Sequence, residues 1–344
     1  MAGGTGGHIF PGLAVAHEMR AAGWEVVWLG ARGGMEERLV PPRGYRTEWI
    51  RAKAARGKGL AQKLLLPANL LLSFWESARL IRRVKPDVVL GLGGYVAFPG
   101  GMMASLLNRP LALHEQNALP GLANRVLSTV SDKVMVAFPE ALKAAEWTGN
   151  PVRGEIAAIA SPENRFHGRQ GPLRILVVGG SLGAQALNEA VPKALALLSK
   201  PLSVVHQSGE KHLQILRKNY SDAGVEGELV AFIDDMARRY AEADLVICRA
   251  GALTIAELSA GGLASILVPL PHAVDDHPTA NARVLADKGA ALLVPQSEMS
   301  AEKLAALIGS LERTKLLEMA KKARALGKPD AASLVARRCM EIAR

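Results

Sequence analysis

Along this chain a short apolar run repeatedly ends on a turn of small residues and passes at once into a helix. The clearest copy spans residues 244–257, Asp-Leu-Val-Ile-Cys-Arg-Ala-Gly-Ala-Leu-Thr-Ile-Ala-Glu. Leu245–Cys248 reads as a fully buried strand, Ala250-Gly251-Ala252 as the turn and residues 253–260 as the helix. Strands that alternate with helices dictate parallel pairing, because a parallel neighbour is reached only through a crossover. Each turn then lies against a helix N-terminus. With no bulky side chain there, a phosphate or pyrophosphate can approach the first backbone N–H groups. Glu257, one turn into the helix, is in reach of sugar hydroxyls beside that phosphate; in an ordinary strand-turn-helix it would be a solvated Glu.

Three further copies carry more glycine. Residues 174–178 lead into Gly179-Gly180-Ser181-Leu182-Gly183-Ala184 and a helix over 185–198, and residues 86–90 lead into Gly91-Leu92-Gly93-Gly94-Tyr95. The third opens the chain, where Gly3-Gly4-Thr5-Gly6-Gly7-His8 precedes a helix over 9–21 with Pro11 in its first turn. Closely spaced glycines let a phosphate or sugar touch backbone N–H groups. Such a loop should follow a strand, yet only Met1 and Ala2 precede this one. The expectation is that a first, central parallel strand is missing, through a late start codon or a trimmed N-terminus. That would leave a sheet edge unpaired and weaken the first domain.

The remaining segments keep alternating. Strands are expected at 25–30, 45–50, 111–114 and 133–138, then at 203–207, 229–232, 265–268 and 290–294, with a short helix at 34–40. After 111–114, the run His114-Glu115-Gln116-Asn117 gathers polar groups at a strand's carboxyl end, where open parallel sheets bind ligands. Gly149-Asn150-Pro151-Val152-Arg153 reads as a linker. At 344 residues there is room for two cores. The fold class is therefore α/β, two facing Rossmann-like doubly wound parallel-sheet domains with ligand in the cleft between them. The domains are residues 1–150 and 151–328, and a C-terminal helix over 329–344 returns to the first after a break at Gly327-Lys328-Pro329.

Charge separates the two halves. Residues 1–150 carry 18 Lys+Arg against 11 Asp+Glu, a balance of +7, which leaves +3 of the total +10 for residues 151–344. Residues 43–85 alone hold eleven basic and two acidic side chains, which argues for an anionic partner on this lobe. Here Leu64, Leu65, Leu66, Leu70, Leu71, Phe74 and Trp75 run into Arg79, Arg82 and Arg83. The apolar run falls well short of the roughly 20 residues a membrane span needs, and Pro67 and Asn69 interrupt it. Apolar residues flanked by cations suit a segment lying in a membrane interface. The same leucines also fit a long helix packed on the sheet with its Arg face in water.

Other classes fit less well. A dinucleotide fingerprint needs a third glycine, and Ile9 and Val96 stand at that place after Gly4-Thr5-Gly6 and Gly91-Leu92-Gly93. No Walker lysine follows any glycine turn, and nucleic-acid binding would rest on charge alone. The two cysteines, Cys248 and Cys339, offer neither a disulfide framework nor a metal cluster and suit a reducing, cytoplasmic setting, and no secretory signal opens the chain.

The ordered set of Gly3-Gly4-Thr5-Gly6-Gly7-His8, Gly91-Leu92-Gly93-Gly94-Tyr95, His114-Glu115-Gln116-Asn117, Gly149-Asn150-Pro151-Val152-Arg153, Gly179-Gly180-Ser181-Leu182-Gly183-Ala184 and residues 249–257 resembles the MurG family across almost the whole chain. These are bacterial peptidoglycan N-acetylglucosaminyltransferases of the glycosyltransferase-B fold. The resemblance implies transfer of N-acetylglucosamine from UDP-N-acetylglucosamine to the 4-hydroxyl of undecaprenyl-pyrophosphoryl-N-acetylmuramoyl-pentapeptide, with inversion and without a metal or other cofactor. It implies a peripheral enzyme on the cytoplasmic face of the plasma membrane, with an anionic membrane surface and other cell-wall and division proteins as partners.

Carried onto this sequence, the family's donor contacts fall on Thr5, Gly6, Gly7, Asn117, Arg153, Ser181, Ile233, Ala252, Leu253, Thr254, Ile255, Ala256 and Glu257. Gly93, Gly94, Tyr95, His114, Glu115 and Asn124 fall on the acceptor side or in support of it. Inverting transfer needs a base, and His8 is the candidate; it can equally stabilise the loop or position substrate. One position departs from the family: Pro278 stands in Asp275-Asp276-His277-Pro278-Thr279 where a Gln is usual. Proline has no side-chain donor, so weaker or less selective donor-sugar binding is expected, with His277 or Asp276 partly substituting. Two rival readings are a UDP-N-acetylglucosamine 2-epimerase, which would have no use for the apolar and basic surface, and a non-enzymatic nucleotide-sugar-binding module at the membrane.

Overall fold

The computed structural model describes residues 1–52, 66–180, 183–271 and 276–344, with Leu66 described by its backbone alone. The chain divides into two compact units, Met1–Arg153 with Asp330–Arg344, and Gly154–Pro329.

In the first unit, β1 (Val27–Ala31) and β2 (Arg46–Ile50) form a parallel pair. A separate parallel sheet runs in the order β3 (Val89–Gly91), β4 (Leu111–Glu115), β5 (Lys133–Val136), β6 (Glu146–Trp147). Its helices are α1 (Gly6–Ala21), α2 (Met35–Leu39), α3 (Leu66–Val84), α4 (Ala97–Leu106), α5 (Leu122–Ser128) and the terminal helix Ala331–Ile342. All five residues of β4 are buried, as befits a parallel strand covered on both faces. The period of two shows in what they touch. Leu111 and Leu113 join a core with Ile81 of α3, Ala104 of α4 and Leu127 of α5, whereas Ala112 meets Val15 of α1 and Val335 and Cys339 of the terminal helix. The terminal helix is fastened by Arg338, which donates to Glu146 at 2.8 Å, while Lys133 reaches the same carboxylate at 2.7 Å.

The inner edges of β1 and β3 pair with no strand among the described residues. Between them lies a cavity of about 250 Å³, walled by Val27, Leu29, Ile81, Val89 and Leu90. Met1 closes one end of it: its amine donates to the Leu90 carbonyl at 2.8 Å, and Leu92 N donates to the Met1 carbonyl at 3.0 Å. Met1 thus already occupies a ladder position beside β3. Complete burial pushes its amine down to about 5, because no water is left to solvate the charge.

The second unit holds one six-stranded parallel sheet. Its strands are β7 (Leu173–Val178), β8 (Leu202–Gln207), β9 (Glu228–Val230), β10 (Leu245–Cys248), β11 (Ser265–Leu267) and β12 (Ala291–Leu293), in the order 12-11-10-7-8-9. The chain winds outwards from β7 to β9, then restarts beside β7 and winds the other way, so the switch point lies between β7 and β10. The larger helices are α6 (Gln185–Ala196), α7 (Leu213–Ala223), α8 (Met236–Glu242), α9 (Ala252–Gly261), α10 (His277–Ala286), α11 (Ala301–Gly309) and α12 (Arg313–Leu326). Ile175, Val177, Ile247 and Ile266 from the sheet pack with Leu187 of α6 and Leu216 of α7 in the core.

A largely apolar cavity flanked by two strand edges that pair with no other strand among the described residues should accept a strand. A chain carrying about six added residues of high β propensity joined to Met1 is expected to melt roughly 5 °C or more above one carrying an equally long Gly/Ser segment. Equal melting temperatures in calorimetry would show that the cavity takes no strand.

Candidate active site

At the carboxyl edge of the first unit, α1 begins at Gly6, three residues earlier than its sequence pattern suggests. Gly6 and Gly7 therefore form the first helical turn, and residues 3–5 are the only loop. Thr5 is the extended N-cap residue, and its carbonyl accepts from His8 N at 3.1 Å and Ile9 N at 3.2 Å. The N–H groups of Gly6 and Gly7 precede the first intrahelical bond and carry no bulky side chain between them. A buried carboxylate holds the loop: Glu36 of α2 accepts from Gly4 N at 3.1 Å and from Ala31 N at 3.0 Å. Tyr95 lies over Gly4, and its phenol is pushed up first by burial and then by the Glu36 charge. Gly94 must be glycine, with a left-handed φ of 79° and a Cβ position that overlaps the Gly3 carbonyl.

β4 delivers two buried polar side chains to the same edge. Glu115 accepts from Asn117 N at 2.8 Å, Asn117 Nδ2 at 3.1 Å, Gly121 N at 3.3 Å and Asn124 Nδ2 at 2.8 Å. Those four donors occupy the carboxylate, so it organises the turn that presents Asn117. His114 Nε2 lies 2.8 Å from the Gly149 carbonyl, and burial pushes its imidazole down to about 4. Gln116 stands between the histidines: its Nε2 is 3.1 Å from His114 Nδ1, and its Oε1 is 2.7 Å from His8 Nδ1. Thr5, Gly6, Gly7, His8, Gly93, Gly94, Tyr95, His114, Glu115, Asn117 and Asn124 thus belong to one edge of one unit, and Arg153 is the last residue of that unit's main segment.

In the second unit, the turn after β7 and the turn after β10 flank the switch point, where open α/β sheets bind ligands. Ser181 and Leu182 lie outside the described residues. Gln207 clamps the rest of the first turn, accepting from Gly180 N at 3.1 Å and donating to the Gly180 carbonyl at 3.0 Å and the Ala231 carbonyl at 2.9 Å. α9 starts at Ala252 behind the extended cap Gly251, which has no side chain to cap it, and its first bond is Ile255 N to the Gly251 carbonyl at 3.0 Å. The N–H groups of Ala252, Leu253 and Thr254 therefore precede any intrahelical acceptor, and the partial positive charge of the helix end concentrates there. Glu257, buried on α9 beyond Ala256, accepts from Tyr240 at 3.2 Å. Arg249 has a structural task, donating to the Val268 and Pro269 carbonyls at 3.2 Å each and to Gln296 at 2.7 Å. The Ile233 side chain is buried, while its neighbour Phe232 is exposed. Pro278 sits in the first turn of α10, where its missing N–H is no loss. Asp276 before it has a left-handed φ of 51°.

The apolar and basic segment is the helix α3. Leu70, Leu71 and Trp75 are exposed, Leu71 by 70% and Trp75 by 58%. Arg79 lies over the Trp75 ring at 5.6 Å, Arg82 is exposed, and Arg83 pairs with Glu48. Phe74 is not on that face: it is half-buried and meets Phe98 of α4 edge-on, with ring centroids 5.9 Å apart. Leu64 and Leu65, and the side chain of Leu66, lie outside the described residues. Leu106 at the end of α4 and Leu119, Leu122 and Val126 on and before α5 are also exposed. No helix among the described residues is long and apolar enough to cross a membrane. Three residues central to this geometry, Glu36, Gln116 and Gln207, carry no mark in sequence beyond being polar; Gln116 alone stood in a run already of interest.

Two parallel-sheet units that open helix N-termini at their carboxyl edges define the glycosyltransferase-B class. Residues 1–136 match the N-terminal domain of glycosyltransferase family 28, and residues 174–335 match its C-terminal domain. The chain belongs to this family. It is 63% identical over 346 residues to the UDP-N-acetylglucosamine--N-acetylmuramyl-(pentapeptide) pyrophosphoryl-undecaprenol N-acetylglucosamine transferase of Aromatoleum aromaticum, covering 100% of this chain and 97% of the relative. The enzyme of the same name from Azoarcus is 62% identical with the same coverage. Among solved structures, Acinetobacter baumannii MurG superposes with a TM-score of 0.88 at 44% identity, over 99% of this chain and 98% of that one.

Glu36 is the anchor to test in this site. Glu36→Ala strands the buried Ala31 N–H and the part-buried Gly4 N–H and is expected to cost roughly 1–3 kcal/mol in urea unfolding. Wild-type stability in that variant would show that the loop holds itself.

Proposed function

We propose that this chain transfers N-acetylglucosamine from UDP-N-acetylglucosamine to the 4-hydroxyl of undecaprenyl-pyrophosphoryl-N-acetylmuramoyl-pentapeptide, converting lipid I to lipid II. The observation that carries the reading is 63% identity, over the whole chain, to a relative named for that reaction. The geometry agrees with it. The N-terminus of α9 receives the donor's pyrophosphate, and its dipole stabilises the charge that grows on UDP as the sugar departs. Glu257 accepts from the ribose hydroxyls, and the resemblance adds Ser181, Arg153, Thr5, Gly6 and Gly7 as donor contacts. His8 takes the proton of the acceptor hydroxyl while that oxygen attacks the anomeric carbon from the face opposite UDP. One carbon–oxygen bond forms, one breaks, and the configuration inverts.

Labelled donor and a lipid-linked N-acetylmuramoyl-pentapeptide test the reading. Labelled lipid product is expected, with kcat about a hundredfold or more lower in His8→Ala and a lower donor KM in Pro278→Gln. Conversion of donor to its 2-epimer without any transfer would instead favour the epimerase.

The exposed face of α3 and the adjoining apolar residues of α4 and α5 form the surface that meets the bilayer in this proposal, on its cytoplasmic side. Apolar side chains enter the interface while Arg79 and Arg82 stay at headgroup level. Leu71→Asp with Trp75→Asp is expected to reduce sedimentation with anionic vesicles about tenfold or more, and salt is expected to weaken wild-type binding. Unchanged sedimentation of the double variant would remove this surface from the proposal.

A further inference from the structure

The ring nitrogens of His8 are not equivalent, and the reason can be followed atom by atom from a carbonyl that can only accept. The Gly149 carbonyl 2.8 Å from His114 Nε2 requires the proton of His114 to be there. His114 is buried and neutral, so its Nδ1 is an acceptor. Gln116 Nε2 satisfies that acceptor at 3.1 Å and also donates to the His114 carbonyl at 2.8 Å. Two acceptors around one end of the amide fix which end is nitrogen; the reverse assignment would press oxygen against oxygen. Gln116 Oε1 is therefore the atom that faces His8 Nδ1 at 2.7 Å, and it can only accept. Gly93 leaves the room the ring needs, since a Cβ there would stand 2.9 Å from His8 Cε1.

We propose that Gln116 and His114 are positioning residues that hold His8 with its proton on Nδ1 and the lone pair of Nε2 ready for the acceptor hydroxyl. This rests on the reading of His8 as the base. An unconstrained neutral histidine in water carries its proton mostly on Nε2, the form that cannot accept at that atom. The relay selects the other form. When Nε2 takes the proton, Nδ1–H still donates to Gln116, so no relay atom has to move. Because its partner is a neutral amide and not a carboxylate, the imidazolium gains no full opposite charge and can release the proton in turn.

The test is nitrogen NMR on the whole protein labelled with 15N-histidine, the His8 signals being those lost in His8→Gln. In wild type with the His8 ring neutral, Nδ1 is expected protonated and Nε2 bare. In Gln116→Met the proton is expected to redistribute towards Nε2, with kcat at least tenfold lower, donor KM within about twofold, and His206 in the other unit unchanged as a control of folding. A wild-type His8 carrying its proton on Nε2 overturns the proposal without any variant, and so does Gln116→Met with unaltered His8 signals and kcat. If the tautomer shifts as expected but His8→Gln keeps full kcat, the relay stands as a structural feature, while the proposal that it positions the base falls together with His8 as base.

Discussion

A parallel strand pair leaves no room for a hairpin, so after each strand the chain must return by a crossover, in most cases here a helix, and begin the next strand at the same end. Every strand pair among the described residues is parallel. All the strand-to-helix turns of a unit are thereby gathered along one edge, where the following helices point their N-termini. In the second unit the reversal of winding between β7 and β10 separates two neighbouring turns and opens the crevice that α9 faces. The position of the site follows from that pairing before any particular side chain is considered.

Glycine turns that stay uncovered for a ligand cannot be held by their own side chains, and both units meet this in the same way. A buried polar side chain from elsewhere takes the backbone groups that water or a cap would otherwise satisfy. Glu36 does this for Gly4 and Ala31, Glu115 for Asn117 and Gly121, and Gln207 for both backbone groups of Gly180. Each of the three is almost fully buried, so an unpaired group on either side would cost more than the bond itself contributes. Rigid backbone at the edge is the result. His8 benefits from the same economy, because Gln116 and Gly93 fix its ring without covering the edge from which substrate must come.

Legibility in the sequence follows the range of the physics. β10 was readable to the residue, since four buried apolar residues are bounded by Asp244 and Arg249, and the α/β class followed from the repeated alternation. α1 begins earlier than expected because glycine weakens a helix interior, whereas the first turn has no backward hydrogen bonds to lose. β6, with two residues, is too short to show a period. The glycine turns and His8 stood out as local patterns. Glu36 acts 32 positions from Gly4, and Gln116 acts 108 positions from His8, so neither could be found by spacing along the chain. For Glu115 the sequence left loop support and acceptor contact both open, and its carboxylate accepts four loop donors. Phe74 was grouped with the exposed residues of α3 by composition, yet the turn of the helix carries it inward to Phe98.

The proposed membrane surface and the proposed chemistry share one architectural cause. α3, α4 and α5 cover the same face of the β3–β6 sheet, with α1 and the terminal helix on the other, so apolar residues on their outer sides fall on one side of the unit. α4 and α5 start from the turns that carry Tyr95 and Asn117, and exposed Leu119 and Leu122 follow the second of these turns directly. Exposed apolar residues therefore stand beside the turn that carries Asn117, at the edge where His8 sits. A lipid-linked acceptor has to bring a polar sugar to a base while its chain stays in the bilayer. In the proposed reading, a unit whose exposed apolar residues lie beside its glycine-turn edge meets that demand from the membrane surface.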